Sequence, residues 1–308
     1  MRKAVLEASQ RATQSGALKK ITAGVELLPP AADSGVRFLL FEAQGAPPKP
    51  LATAEEAPKA PFRDPFAREH LERELFITQL HGTHNVVLNK FNVVDEHVVL
   101  PTIEYEEQEA PLSRADLRAM WTAMRALDAF AFFNCGYESG ASQPHKHMQL
   151  MSYPSLKAFT GLDMPPLLHF IAERLRNHPM SSVVQLPELP FLHFLHRIEI
   201  DPKTESEDAA DQLLSIYDAV LQQLNAREHY PDKLNRRASP LPVAYNLLLT
   251  QAFVFVIPRR HQRFEGIEVN SIGFIGSFFV RDAAQRAFFE AQGPMALLRQ
   301  VSFPPPSC

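Results

Sequence analysis

The 308-residue chain is predicted to fold as α+β, an antiparallel sheet with flanking helices. Three observations carry that prediction. His84–Leu100 and Tyr245–Arg260 are rich in apolar and β-branched residues. Each is broken midway by a short pair, Asp95-Glu96 and Gln251-Ala252, which is the pattern of a hairpin. Ser113–Phe133 and Thr204–Glu228 repeat apolar residues at helical spacing. Hydrophobic residues make up 45% of the chain, enough for one large core or two closely joined lobes.

Taken in order, residues 1–28 read as a helix with a polar break at Thr13–Gly16, and Val36–Phe41 as a short strand. Ala43–Pro65 is rich in proline and poor in large apolar residues, so it reads as a long loop. Arg68–Gln79 reads as a short helix, followed by the first hairpin. Ser113 can cap a helix by accepting from the Asp116 N–H, and that helix is expected to run to about Phe133. Leu117, Met120, Trp121, Met124, Leu127, Phe130 and Ala131 form its apolar stripe, which core packing explains without a cofactor.

Leu156–Asn177 is mixed helix, Ser181–Pro190 a loop and Phe191–Ile198 a buried strand. His193 and His196 could seat a metal only if that segment were helical, and they read as core or surface histidines. Thr204–Glu228 is a helix and Tyr230–Pro242 a polar loop with Lys233, Arg236 and Arg237. The second hairpin follows, then a glycine-containing segment at 269–281. Asp282–Val301 closes the chain as a helix interrupted near Gly293-Pro294.

The net charge of -4 and the pI near 6.3 leave no basic footprint for nucleic acid, so any phosphate site must be built locally. Cys135 and Cys308 cannot form a disulfide framework or a four-cysteine zinc site, and a reducing, cytoplasmic setting is expected. No apolar run approaches the roughly 18 residues of a membrane span. Met1–Gln14 is charged and lacks an apolar core, so no secretory signal is expected.

Chemistry concentrates in Ser139–Met151. As a strand, its second half places His145, His147, Gln149 and Met151 on one face, and Lys146, Met148 and Leu150 on the other. The glycine and serines just upstream offer N–H groups and hydroxyls that suit a phosphate. The His-x-His-x-Gln row resembles the histidine-triad superfamily in its glutamine-ending transferase branch. The longer run Asn134–Gln149 is similar to the diadenosine tetraphosphate (Ap4A) phosphorylases, also called ATP adenylyltransferases. Further similarity lies at 84–100, 245–260 and 269–281, so the resemblance spans roughly residues 35 to 300.

That resemblance implies a HIT-like fold. It suggests an N-terminal part, 1–185, carrying the nucleotidyl-transfer motif and a C-terminal part, 186–308, completing the site, the two forming one compact unit. It implies phosphorolysis of Ap4A to ATP and ADP through an adenylyl-histidine, with His147 as nucleophile, His145 as support and Gln149 holding phosphoryl oxygens. A carboxamide can donate and accept hydrogen bonds but cannot titrate. The implied substrate contacts are Asn89, Lys90, Asn134, Ser139, Gly140, Ala141, Ser142, Gln143, Asn270, Ser271, Ile272, Ser277 and Arg281.

Lys49 is the candidate by spacing for an upstream phosphate-reaching lysine, or else a solvated loop residue. Ala141 stands where the family has serine, and Arg281 where it often has lysine. His97 matches a turn histidine and reads as structural. No tightly bound cofactor is implied and no metal ligands are assigned, although a divalent cation such as magnesium can ride on the substrate phosphates. The implied partners are the small nucleotides Ap4A, ATP and ADP, with phosphate, and the state is monomer or dimer. Two other readings stay open: adenylyl transfer or phosphorolysis on another nucleotide such as adenosine phosphosulfate, and a nucleotide-binding protein without turnover.

Overall fold

The computed structural model describes residues 1–31, 34–43, 63–180, 182–201, 203–226, 230, 241 and 243–306. Lys49, Lys59, Lys233, Arg236 and Arg237 lie outside the described residues, as does most of the proline-rich stretch. The first half of the chain contributes α1 (Arg2–Ser15), β1 (Ala23–Leu27), β2 (Leu39–Ala43), β3 (Phe76–Leu80), β4 (His84–Leu88), β5 (Val98–Pro101), α2 (Arg114–Leu127), β6 (Ala129–Cys135) and β7 (His147–Ser152). Then come α3 (Tyr153–Thr160), α4 (Pro166–Leu175), β8 (Val183–Val184), β9 (Phe194–Arg197) and α5 (Ser206–Leu224). The last part holds β10 (Ala244–Leu249), β11 (Phe253–Arg259), β12 (Arg263–Phe264), β13 (Ile267–Glu268), β14 (Ser277–Val280), α6 (Ala283–Gln292) and α7 (Pro294–Val301).

Nine strands form one antiparallel sheet in the order β3-β4-β5-β7-β6-β10-β11-β9-β8. Both hairpins are present, as β4–β5 and β10–β11. The two halves of the chain meet at β6–β10, where Asn246 stands opposite Asn134 and Tyr245 opposite Cys135. A smaller sheet, β1-β2-β14, pairs β2 in parallel with β14.

Period two divides the core between the faces of the large sheet. On β6, Ala131, Phe133 and Cys135 join Met148 and Leu150 of β7 in a cluster with Met120, Trp121 and Met124 of α2. Phe130 and Phe132 join Met151 in the opposite cluster, with residues of α4, α6 and α7. His147 and Gln149 therefore share a face with Met151, as alternation along the strand requires. Among the described residues, no helix is long and apolar enough to cross a membrane.

Three expected helical segments differ. α1 stops at Gly16, which takes φ 74° and donates its N–H to the Thr13 carbonyl; residues 23–27 are a strand rather than more helix, because they find β2 as a partner. Residues 68–75 are turns and irregular chain, and 76–80 pair with β4 through a bulge near Ile77. α2 ends at Asp128, which adopts φ 51° and donates to the Met124 carbonyl. Phe130 and Ala131 are thus central strand residues. Their apolar run suits a buried strand as well as a helix, and the stop depends on Asp tolerating the left-handed region.

Candidate active site

β7 lies between β5 and β6 in the middle of the sheet, with His147 opposite Pro101 and Gln149 opposite Val99 and Phe132. Its first residue is held from both sides of the peptide. The Gln108 amide oxygen accepts the His147 N–H at 2.8 Å, and the Gln108 amide nitrogen donates to the His147 carbonyl at 3.2 Å and the Asn134 carbonyl at 2.8 Å. Gln108 is itself buried. One side chain therefore ties β7 to the end of β6.

The His147 ring donates Nδ1–H to the carbonyl of His145 at 2.8 Å. That bond selects the tautomer and leaves the Nε2 lone pair for chemistry. Burial pulls the His147 pKa from 6.5 to about 4, only partly opposed by the bond to the His145 carbonyl. The ring is therefore neutral at physiological pH, as an attacking nitrogen must be. Phe66 packs against it with ring centroids 5.1 Å apart.

His145 precedes the strand proper and is almost fully buried. Its Nδ1 lies 2.7 Å from an oxygen of Asp64, and its Nε2 lies 2.9 Å from the Thr102 carbonyl and 3.1 Å from the Thr102 hydroxyl. Both ring nitrogens are thus engaged. His145 holds the turn, and its carbonyl accepts the His147 Nδ1–H.

The Gln149 Oε1 lies 2.9 Å from Nε2 of His97, whose Nδ1 is 3.0 Å from the amide nitrogen of Asn89. His97 is enclosed, and burial lowers its pKa to about 4 against the raising effect of the Gln149 bond. Its ring also packs on Phe132 with centroids 5.9 Å apart. The loop that carries Asn89 and Lys90 is held by two backbone bonds from the chain after α1, Lys19 N–H to Lys90 O at 2.7 Å and Ile21 N–H to Asn92 O at 2.8 Å.

Residues 136–143 wrap the approach to the row. Gly140 takes φ 86°, and a Cβ there would come within 2.8 Å of the Asn270 Cβ and 3.1 Å of the Val269 carbonyl oxygen. Only glycine fits without a shift. Ser139 is buried and donates its hydroxyl to the Gly136 carbonyl at 2.6 Å, which shapes the turn.

Beneath the loop is a polar network at the junction of the two halves. Asn134 Oδ1 accepts from Asn246 Nδ2 at 2.8 Å, from Ser271 N–H at 3.1 Å and from the Ser271 hydroxyl at 2.7 Å. Asn246 also donates to the Ser139 carbonyl at 2.9 Å, and its oxygen accepts from Arg259 at 2.5 Å. Arg259 is wholly buried, bonds to the carbonyls of His261 and Val301 and packs over the Phe274 ring. Burial pulls its pKa down to about 9, against the charge of Glu138, so it stays cationic at neutral pH. A fixed positive charge therefore sits behind the loop, although the net charge of the chain is negative.

A cleft of about 850 Å³ reaches Met151 and His97, the partner of Gln149, while His145, His147 and Gln149 are not among the residues that border it. Asn89, His97, Gly140, Ser142, Asn270, Ile272, Ser277 and Arg281 border it, and so do Phe91, Val94, Met151 and Phe278. Apolar walls with a few polar groups are what a nucleotide base and ribose need. Asn270 closes its own turn by accepting from the Ile272 N–H. The Ser277 hydroxyl is buried and, among the described residues, has no hydrogen-bond partner; the Gln143 amide oxygen is in the same position.

The expected contacts thus separate by position. Asn134, Ser139 and Ser271 are buried and tied to protein partners. Arg281 borders the cleft but pairs with Glu268 at 2.9 Å. Lys90 is not among the residues bordering the cleft and pairs with Glu72 at 2.6 Å. Ala141 is half-buried in the loop. Asp64, Thr102, Gln108, Asn246 and Arg259 have no assigned role from sequence, and His97 reads from sequence only as a structural turn histidine. The Asn246 and Arg259 positions lie in a hairpin read only as similar to the family, and the others reach the row through loops whose path the sequence does not reveal.

The N-terminal residues, 1–170, match the model of the Ap4A phosphorylase N-terminal domain, and residues 187–304 match that of the ATP adenylyltransferase C-terminal domain. The chain belongs to the Ap4A phosphorylase family. It is 31% identical over 258 residues to diadenosine 5',5'''-P1,P4-tetraphosphate phosphorylase 2 of Saccharomyces cerevisiae, covering 76% of this chain and 73% of that protein. Against Protein APA1 of the same yeast it is 29% identical over 236 residues, 71% of this chain and 69% of that one. The crystal structure of yeast Ap4A phosphorylase Apa2 superposes with a TM-score of 0.78 at 25% identity, over 99% of this chain and 98% of that chain. The same yeast protein in complex with Ap4A gives 0.76 at 23% identity, again over 99% and 98%. The α+β architecture of antiparallel sheet and flanking helices is thus that of an Ap4A phosphorylase along nearly the whole chain.

Proposed function

We propose that this chain catalyses the phosphorolysis of Ap4A to ATP and ADP by two displacements at phosphorus on His147. One observation carries the reading: a buried, neutral imidazole whose Nδ1–H is held by a backbone carbonyl, leaving Nε2 as the nucleophile in a row ending with Gln149. In the first displacement Nε2 donates its lone pair to the α-phosphorus, the bond to the bridging oxygen breaks and ATP departs with that electron pair. The adenylyl-imidazole keeps its Nδ1–H, which still donates to the His145 carbonyl. In the second, a phosphate oxygen attacks the same phosphorus, ADP leaves, and Nε2 recovers its lone pair.

Positioning and charge stabilisation carry much of such a reaction. The loop at 136–143 and the buried Arg259 behind it supply them here, with Arg281 at the cleft. Any magnesium would arrive on the substrate's phosphates as part of the substrate. A reducing cytoplasm suits the buried Cys135 thiol. The test is a product assay on Ap4A with and without inorganic phosphate. ATP plus ADP formed only with phosphate supports the reading. ATP plus AMP in both tubes would mean hydrolysis, and no product in either would move the activity to another nucleotide.

A further inference from the structure

We propose that His97 and Asn89 are positioning residues that fix the polarity of the Gln149 carboxamide, so that its NH2 and not its oxygen meets the phosphoryl group in transfer. The inference rests on the adenylyl-transfer reading of the row. A carboxamide has a donor end and an acceptor end of nearly equal size, and a half-buried glutamine could turn either way. In the wrong orientation its oxygen would oppose the phosphoryl oxygens.

The direction is set by a group that cannot be turned over. The Phe91 backbone N–H, a donor only, lies 3.3 Å from Asn89 Oδ1. The other end of that amide, the Asn89 NH2, is also a donor only and lies 3.0 Å from His97 Nδ1. Nδ1 must therefore accept, so the ring proton resides on Nε2. Nε2–H then donates across 2.9 Å to the Gln149 oxygen. With its oxygen turned to His97, the end of Gln149 left to face a substrate is its NH2.

Each link determines the next, from a main-chain amide to the reacting phosphorus. The ring must be neutral to accept and donate at once, and its enclosure against Phe132 favours that form. His97 thus has a role beyond that of a turn histidine, and Asn89 acts through it as well as bordering the cleft.

The test compares His97→Leu, which breaks the relay, with His97→Gln, whose amide can accept from Asn89 and donate to Gln149. Both are made in the native chain and in a Gln149→Ala background. The readouts are nucleotide affinity and the single-turnover rate of adenylyl-enzyme formation from Ap4A. We expect His97→Leu to slow that rate by about tenfold or more with affinity changed less than about threefold. His97→Gln should recover most of the rate, and His97→Leu should add little once Gln149 is Ala.

Equal losses in both backgrounds, or no rescue by Gln, would overturn the relay. A second measurement does not need turnover: 15N NMR of the free protein, with the His97 signal assigned by its loss in His97→Gln. Protonation at Nε2 with a bare Nδ1 supports the relay, and protonation at Nδ1 overturns it. If the native protein fails to act on Ap4A, the functional reading falls while the tautomer still decides the relay.

Discussion

His147 draws its reactivity from one bond and one environment. The His145 carbonyl accepts a hydrogen bond from Nδ1–H, and burial keeps the ring neutral down to a pKa of about 4. Two outcomes follow at this scale. His147→Ala should abolish adenylyl-enzyme formation, because both ring nitrogens of His145 are engaged, yet leave nucleotide affinity within about tenfold. Retained turnover in that variant would exclude the covalent route. The acid limb of the first half-reaction should also fall near pH 4 rather than near 6.5. The nucleophile is competent above its pKa and is lost as protonation removes the lone pair. A rapid-quench rate profile from pH 4 to 8 checks this, and a limb centred at 6.5 would mean that the ring is not held neutral.

At the level of elements, the back of β7 is firmly anchored. Lys146 is buried between the two histidines, and its ammonium reaches Asp116 at 2.6 Å, the Pro111 carbonyl at 2.8 Å and Glu106 at 3.0 Å. Asp116 is also the third residue of α2, where it closes the capping box with Ser113 and accepts from His84 at 2.9 Å. Burial would raise its pKa, but the His84 bond and the Lys146 charge override that and hold it at about 2. Removing one member of a buried pair strands the other.

Asp116→Ala should therefore cost about 3–5 kcal/mol in urea unfolding, and adding Lys146→Met should return part of the loss. A double variant no better than the single one would show that the pair is not coupled. In the loop at 136–143, Gly140→Ala should raise KM for the dinucleotide while leaving the far-ultraviolet circular dichroism unchanged. The new methyl would meet Asn270 at the cleft wall and strain a left-handed φ. An unchanged KM would mean that loop and wall do not set binding.

Across the whole molecule, the sheet makes the two halves interdependent. β6 and β10 pair over five residues, and the Asn134–Asn246–Arg259 network lies across that seam. A fragment ending at residue 185 would leave the β6 edge unpaired and its apolar residues uncovered, a template for aggregation. Expressed alone it should be insoluble, and co-expression with 186–308 should recover soluble protein; a soluble, cooperatively unfolding 1–185 would contradict this.

Acid stability is also a property of the whole chain. Burial lowers His97, His147 and His193 from 6.5 to about 4 each. Between those values the unfolded chain binds protons that the folded one does not, so stability falls as pH drops through that window. Each ring contributes up to roughly 1.4 kcal/mol per pH unit of slope. His193 takes the Leu186 N–H at 2.8 Å and lies opposite the Phe191 carbonyl at 2.7 Å. His193→Leu should reduce the slope of urea stability against pH by about one proton, and an unchanged slope would mean that this ring titrates alike in both states.

Much of this protein is local, and local order is what a sequence displays. Period two along 145–151, the apolar spacing of α2 and α5, the Ser113 cap and both hairpins follow from side-chain direction and turn chemistry. They place His147 and Gln149 on one face before any tertiary contact is known. Where a short apolar run had no strong stop signal, as at Asp128, or where a strand depended on a distant partner, as at 23–27 and 76–80, local pattern chose the wrong element. The supporting shell is tertiary throughout. Asp64 reaches His145 from 81 residues away, Asn246 reaches Asn134 from 112, and His97 reaches Gln149 from 52. No spacing rule links such pairs, because loops and sheet order bring them together. Local pattern alone is enough to read the row His145, His147 and Gln149 and the α+β class. The tautomers of His147 and His97, the direction of Gln149 and the buried charge of Arg259 are tertiary matters, because they depend on hydrogen-bond partners and burial that exist only once the sheet has closed.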